Sequence, residues 1–281
     1  KNLVMATQQL KRKVAIITGG SSGIGHAIAA RFINEGGKVT IADVNEDAGK
    51  KVAEGLNANK SETVAIFHKT DVSKWNELKG LFNKTKETFG RIDVVVNNAG
   101  ITGVTNGMLD DSFDEPTHFN KIIEVDLMGV VYGTKLALQY LKQNNPPGGM
   151  ILNTASVSAV YPMFPYAVYA ATKAGVINLT RTMAQVSHLN NITVNAVCPS
   201  ATRTGMAAGP AADAVPKHWW SPVDNVVEAY FKCIYNPKLN GTVFSIWNKE
   251  IKEEKFEEIP PVVNEMNQAS FEQYLSSVKK E

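Results

Sequence analysis

Residues 14–25 read VAIITGGSSGIG. A short, largely β-branched apolar run from Val14 to Thr18 ends in a glycine-rich turn, and from Gly25 the apolar residues recur at three- and four-residue spacing as far as Asn34. That order predicts a buried strand, a sharp turn and a crossover helix. Gly19, Gly23 and Gly25 fall where the chain has to turn. Glycine there permits unusual φ and close backbone approach, and the helix N-terminus offers free N–H groups and a positive dipole, which together make a cradle for a pyrophosphate. Ser21, Ser22 and Ile24 belong to the same candidate cofactor turn.

Outward from this stretch the pattern repeats. Val39 to Ala42, Val64 to Phe67, Val94 to Val96, Met150 to Asn153, Val194 to Val197 and Thr242 to Ile246 are further apolar runs, nearly continuous, as strands covered on both faces must be. Between them, segments such as Trp75 to Phe89 and Glu124 to Lys142 carry helical spacing. This alternation predicts one α/β domain, a doubly wound, seven-stranded parallel sheet with helices on both faces and a ligand crevice at the carboxyl ends of the first and fourth strands. The expected divisions are an N-terminal extension over 1–10, the catalytic domain over 11–248 and a helical tail over 249–281. Phe271, Tyr274, Leu275 and Val278 share one face of that tail. Two long loops, Ile101 to Glu115 and Ala201 to Trp220, leave the crevice end of the sheet, where functional loops concentrate.

At 281 residues, 44% hydrophobic and 20% charged, the chain has enough apolar material for a real core, which excludes a disordered or fibrous protein. Lys and Arg number 29 against 27 Asp and Glu, so there is no basic footprint for nucleic acid or for an anionic membrane surface. Cys198 and Cys233 stand in no metal-ligand spacing, so no metal is expected and both thiols should be free. The N-terminal residues lack the apolar core of a signal peptide, and no apolar run is long enough to span a bilayer. A cytoplasmic protein is expected.

Asp43 ends the second strand, about 20 residues beyond the glycines, where a carboxylate can accept from an adenosine ribose and would repel a 2′-phosphate. It argues for NAD over NADP. Val44 follows it, and no Arg or Lys lies between Gly19 and Gly25 to receive an extra phosphate. Asp43 also has a compatible structural role as a helix N-cap before NEDAGKK. Further on, within YAVYAATKAG, Tyr169 and Lys173 stand at i and i+4 on one helix face, and Ser156 closes the fifth strand. A tyrosine ionises near pH 10, but a neighbouring ammonium favours phenolate; lowering its pKa by two units takes about 2.7 kcal/mol. Ser156 could then hold a substrate oxygen while the phenol exchanges its proton and a nicotinamide takes or gives hydride.

With the NNAG at 97–100, these motifs make residues 11–247 resemble the short-chain dehydrogenase/reductase family. Within it, ADVNEDAGKK, CPSATRT and NPKLNGTVFSIW look like the NAD-dependent hydroxyprostaglandin dehydrogenases and their relatives. The resemblance implies a Rossmann fold, NAD as cofactor, and Ser156, Tyr169 and Lys173 as the catalytic set, with Lys173 also holding the nicotinamide ribose. It places Asp71 and Val72 at the adenine, Asn98, Ala99 and Gly100 beneath the cofactor, and Pro199, Ala201 and Thr202 beside the nicotinamide. It further implies a substrate lining of Val157, Tyr161, Met163, Phe164, Val104, Met206 and Trp219 for a hydrophobic alcohol or ketone, and a homodimer or homotetramer. Without the family, Asp71 reads equally as a helix cap, and Asn97 and Asn98 as ties between strands.

Two positions depart from the family pattern. In IIEVDLMG, Asp126 stands where the family carries a catalytic Asn; a carboxylate accepts but cannot donate, and its charge stabilises the Lys173 ammonium and opposes phenolate. In CPSATRT, Ser200 replaces the usual Gly after Pro199. Asp126 also leaves open an alternative, an NAD-binding scaffold whose redox chemistry is lost or redirected.

Overall fold

A computed structural model of the chain describes residues 9–102, 108, 117–204 and 215–278. Val104 and Met206 lie outside the described residues, as do most of the loop 101–115 and half of the loop 201–220. In chain order the elements are β1 (Val14–Thr18), α1 (Gly23–Asn34), β2 (Lys38–Asp43), α2 (Glu46–Asn57), β3 (Ala65–Lys69), α3 (Trp75–Phe89), β4 (Val94–Asn97) and α4 (Thr117–Ile123). A π-helical turn, Glu124–Met128, leads into α5 (Gly129–Leu141), followed by β5 (Gly149–Thr154), α6 (Ala167–Ser187) and β6 (Ile192–Pro199). The chain continues through α7 (Val223–Tyr235), β7 (Val243–Trp247), β8 (Glu250–Glu253) and α8 (Pro261–Val278).

One sheet contains all the strands in the order β3-β2-β1-β4-β5-β6-β7-β8. Neighbours from β3 to β7 pair in parallel. The expectation of seven strands falls one short. β8 turns back through Asn248, whose φ is +52°, and pairs antiparallel with β7, so the sheet extends beyond residue 248 into the segment read as tail. Its sequence, EIKE, is short and charged, as a protected sheet edge is, and carries almost no apolar signal.

Successive residues of β1 serve opposite faces. Ala15 and Ile17 pack with Ile28 and Phe32 of α1 and Tyr230 and Phe231 of α7, whereas Ile16 packs with Leu78, Leu81 and Phe82 of α3 and Leu136 of α5. Burial on both faces explains why these strands read as continuous apolar runs. Leu10, in the expected N-terminal extension, joins the first of these cores and its N–H donates to the Glu35 carbonyl at 3.0 Å. β1 lies between β2 and β4, so the segments leaving β1 and β4 diverge to opposite faces and open the crevice at their carboxyl ends.

Candidate active site

The turn after β1 requires glycine at Gly19, Gly23 and Gly25. Gly19 and Gly23 have φ of +64° and +54°. A Cβ on Gly25 would lie 2.3 Å from the Gly19 carbonyl oxygen, and one on Gly19 would lie 2.9 Å from the Ala99 Cα. Ser22 is the N-cap residue of α1 and makes no side-chain cap bond, while Ile24 packs onto the α1 core. The first N–H groups of α1 therefore depend on some other acceptor, as at an anion-binding helix N-terminus.

Asp43 holds this turn from the end of β2. Its Oδ2 accepts from the Ser21 N–H at 3.1 Å and the Ser21 hydroxyl at 2.5 Å, and its Oδ1 accepts from the Asn45 N–H at 3.0 Å. The expected N-cap role falls instead to Asn45, whose side chain accepts from the Ala48 N–H at 3.1 Å. Asp43 lies too early in the chain for that cap, and its carboxylate is taken up by the glycine turn. Val44 beside it is exposed.

Asp71 likewise shapes a turn without capping the next helix. Its Oδ1 accepts from the Ser73 N–H at 2.9 Å and hydroxyl at 2.7 Å, and Lys121 sits 3.4 Å from its Oδ2. Burial acts to raise its pKa, but these hydrogen bonds and the Lys121 charge bring it below the usual carboxylate value. Val72 is buried against Gly129. Asn97 and Asn98 do tie strands together. Asn97 Nδ2 donates to Asn153 Oδ1 at 2.9 Å, Asn153 Nδ2 donates to Thr180 Oγ1 at 3.0 Å, and Asn98 Nδ2 donates to the Thr18 carbonyl at 2.9 Å.

Gly100 connects the two halves of the site. A Cβ there would stand 3.0 Å from Asp126 Oδ2 and 3.4 Å from Lys173 Nζ. Asp126, in the π-helical turn, is 0% exposed; its Oδ1 accepts from the Ile101 N–H at 2.8 Å and its Oδ2 lies 3.1 Å from Lys173 Nζ. Lys173 also donates to the Thr154 carbonyl at 3.1 Å and lies over the Tyr169 ring, 5.5 Å from its centre. An ammonium has three hydrogens; among the described residues the Thr154 carbonyl takes one in a hydrogen bond, while the Asp126 contact is an ion pair whose Oδ2 accepts no hydrogen bond of good geometry. The Ser156 hydroxyl oxygen accepts from the Ser158 N–H at 3.2 Å and hydroxyl at 3.0 Å, leaving its own proton to donate towards Tyr169 or a substrate oxygen.

The electrostatics at Tyr169 involve burial and Asp126 as well as Lys173. Burial raises the Tyr169 pKa above its ordinary value; Lys173 and Ser156 pull it down, and Asp126 pushes it up. The net direction is upward, because burial outweighs the pull of the Lys173 ammonium and Asp126 adds to the rise. Burial acts to lower the Lys173 pKa, but the Asp126 charge turns the net shift upward. For Asp126 burial dominates and raises the carboxyl pKa against the pull of Lys173 and the Ile101 N–H.

Pro199 ends β6, and the loop after it is stitched to the start of α7. The Ser221 N–H donates to the Ala201 carbonyl at 2.8 Å, Thr202 Oγ1 donates to the Ser200 carbonyl at 3.0 Å, and the Ser200 and Ser221 hydroxyls are 2.7 Å apart. Ser200, the second departure, thus gains a hydroxyl partner. Thr204, which sequence reasoning passed over, comes within 2.9 Å of a Cβ built on Gly23 and so faces the start of α1. The second threonine of CPSATRT was the available signal. Of the expected substrate lining, Phe164 and Trp219 are 65% and 58% exposed, and Met163 and Tyr161 are also exposed. Val157 is buried, packed with Val130 and Val176.

The chain matches the family model described as short chain dehydrogenase over residues 13–214. Human 15-hydroxyprostaglandin dehydrogenase [NAD(+)] is 34% identical over 197 residues, spanning 69% of this chain and 70% of that protein. Meso-2,3-butanediol dehydrogenase of Serratia marcescens is 40% identical over 197 residues, 70% of this chain and 74% of its own. Among solved structures, the 3-ketoacyl-(acyl-carrier-protein) reductase from Brucella melitensis complexed with NADH superposes with a TM-score of 0.76 at 29% identity, covering 85% of this chain and 98% of that one. A matching family model over most of the chain, relatives of this identity and the observed Rossmann fold agree: the chain belongs to the short-chain dehydrogenase family.

Proposed function

We propose that this chain is an NAD-dependent oxidoreductase that interconverts a hydrophobic secondary alcohol and its ketone, with Tyr169 as the general acid and base. The observation that carries this reading is the joining of Ser156, Tyr169, Lys173 and Asp126 to a glycine-rich turn through Asn98, Ala99 and Gly100. The turn fits a dinucleotide, since its glycines let the backbone pack tightly at the start of α1 and no side chain caps the first N–H groups of that helix. Its Gly19, Gly23 and Gly25 backbone and the α1 N-terminus would hold the pyrophosphate, Asp43 the adenosine ribose, Asp71 and Val72 the adenine, and Lys173 the nicotinamide ribose. Pro199, Ala201 and Thr202 would line the nicotinamide side. Bound there, NAD supplies or accepts the hydride.

The chain's own part is to orient an oxygen and move a proton. In oxidation the Ser156 hydroxyl donates to the substrate oxygen and the Tyr169 phenolate takes the alcohol proton; in reduction the Tyr169 phenol returns it. Tyr161, Met163, Phe164 and Trp219 offer apolar contact to the rest of the substrate. The relatives named above act, by their names, on a prostaglandin alcohol, a diol and a ketoacyl group, which supports an alcohol or ketone here. We further propose a cytoplasmic enzyme, consistent with two buried free thiols, that assembles as a homodimer or homotetramer. Among the described residues no helix is long and apolar enough to cross a membrane.

Tyr169→Phe tests the mechanism. It should lower turnover by roughly 10²–10⁴-fold while leaving NAD affinity nearly unchanged, and turnover comparable to the parent would overturn the assignment. The pH dependence has a definite sign. Because the Tyr169 pKa is raised, the phenolate needed for oxidation accumulates only as pH rises, so oxidation should increase from neutral into the alkaline range, while reduction should hold until the pH nears that raised pKa and fall above it.

A further inference from the structure

We propose that Asp126 is a positioning residue that holds Lys173 in a fully buried ion pair and thereby weakens the pull of that ammonium on Tyr169, so that the phenol gives up its proton at a higher pH than Lys173 alone would allow. The inference rests on the reading of Tyr169 as the acid and base. Its ground is geometric. One carboxylate oxygen of Asp126 is committed to the Ile101 N–H at 2.8 Å, which fixes the side chain, and the other is 3.1 Å from Lys173 Nζ with no exposure to water. The absence of a side chain at Gly100 lets that oxygen and the ammonium approach each other, since a Cβ would crowd both.

Lys173 is therefore held between the Asp126 carboxylate and the Thr154 carbonyl, with its charge partly compensated before it acts on Tyr169. The groups facing Tyr169 are Lys173 from its own helix, Asp126 from the π-helical turn, Ser156 after β5, Cys198 from β6 and Tyr230 from α7. Of these, Asp126 is the carboxyl group, and its 3.1 Å contact with the Lys173 ammonium has the geometry of an ion pair. Cys198 and Tyr230 are held in their neutral forms by burial. An amide at position 126 could keep the Ile101 contact and would remove the charge. The consequence is a site in which the proton-donating form of Tyr169, the form used in ketone reduction, persists to higher pH.

Two readouts test this, one of them independent of turnover. Phenolate absorbance of the protein without cofactor is titrated for the parent and for Asp126→Asn, each corrected by the matching Tyr169→Phe variant. The pH profile of kcat/KM for oxidation is measured on the same proteins. With Asp126→Asn the phenolate midpoint and the rising limb of the profile should both move acidward by about one pH unit or more, while Asp126→Glu should keep both near the parent. If the Asn protein does not fold, Asp126→Ser removes the same charge. An unchanged midpoint, as expected if Asp126 is itself protonated, or a shift to higher pH overturns the inference. Substantial turnover by Tyr169→Phe would instead remove the function reading, and the phenolate titration would still report on the Asp126–Tyr169 coupling.

Discussion

The two carboxylate oxygens of Asp43 accept three hydrogen bonds, two from Ser21 and one from Asn45, so removing them has two separable effects. Asp43→Ala should destabilise the fold by about 1 kcal/mol, since the site is only half-buried and water can replace part of what is lost. It should also raise the NADP-to-NAD preference by removing a negative charge from the ribose position. Urea unfolding checks the first effect and parallel kinetics with the two cofactors check the second. Cys198 and Cys233 give a different residue-scale expectation. Burial pushes both thiols up to about 12, so neither should react with a thiol reagent at neutral pH in the native protein, and both should react after denaturation. A fast-reacting thiol in the native state would contradict that burial.

At the scale of elements, the β1–α1 turn and the amide ladder between strands carry the sharpest expectations. Gly25→Ala places a methyl group 2.3 Å from the Gly19 carbonyl and should abolish NAD binding, read by quenching of intrinsic fluorescence. Asn153→Ala leaves the buried Asn97 amide with only its 3.4 Å contact to Thr134 Oγ1 and the Thr180 hydroxyl without its amide donor, and should cost about 1–3 kcal/mol of stability by denaturant titration. Sequence order made the first of these elements legible, because a strand, a turn and a helix within twenty-odd residues leave a local pattern. The Asp126–Lys173 contact was legible only through the family resemblance, which set Asp126 at a position acting on Lys173. Their meeting depends on how the π-helical turn packs against α6, which no local period encodes. β8 escaped notice for a related reason: a short charged edge strand has no buried face to give it a pattern.

For the whole molecule, the order of strands fixes where protection from exchange should lie. β4, β5 and β6 are central and covered on both faces, so their amides should be the slowest to exchange. β8 at the edge and the largely exposed α8 should be among the fastest. Hydrogen exchange read by mass spectrometry checks this, and fast exchange in β5 would contradict the two-sided core. The doubly wound order was legible in the sequence because both-face burial makes strands read as apolar runs separated by helices. It also brings the glycine turn after β1 and the proposed catalytic residues after β5 to the same end of the sheet. That convergence makes the NNAG segment the bridge between cofactor and chemistry.

The measurement that tests this account most directly is the appearance of reduced nicotinamide when the protein is given hydrophobic secondary alcohols with NAD or NADP, alongside the Tyr169→Phe variant. The account predicts turnover with NAD, little with NADP and almost none from the Phe variant. Turnover that survives Tyr169→Phe, or a protein that binds NAD tightly and stays silent across alcohols and the corresponding ketones, would contradict it.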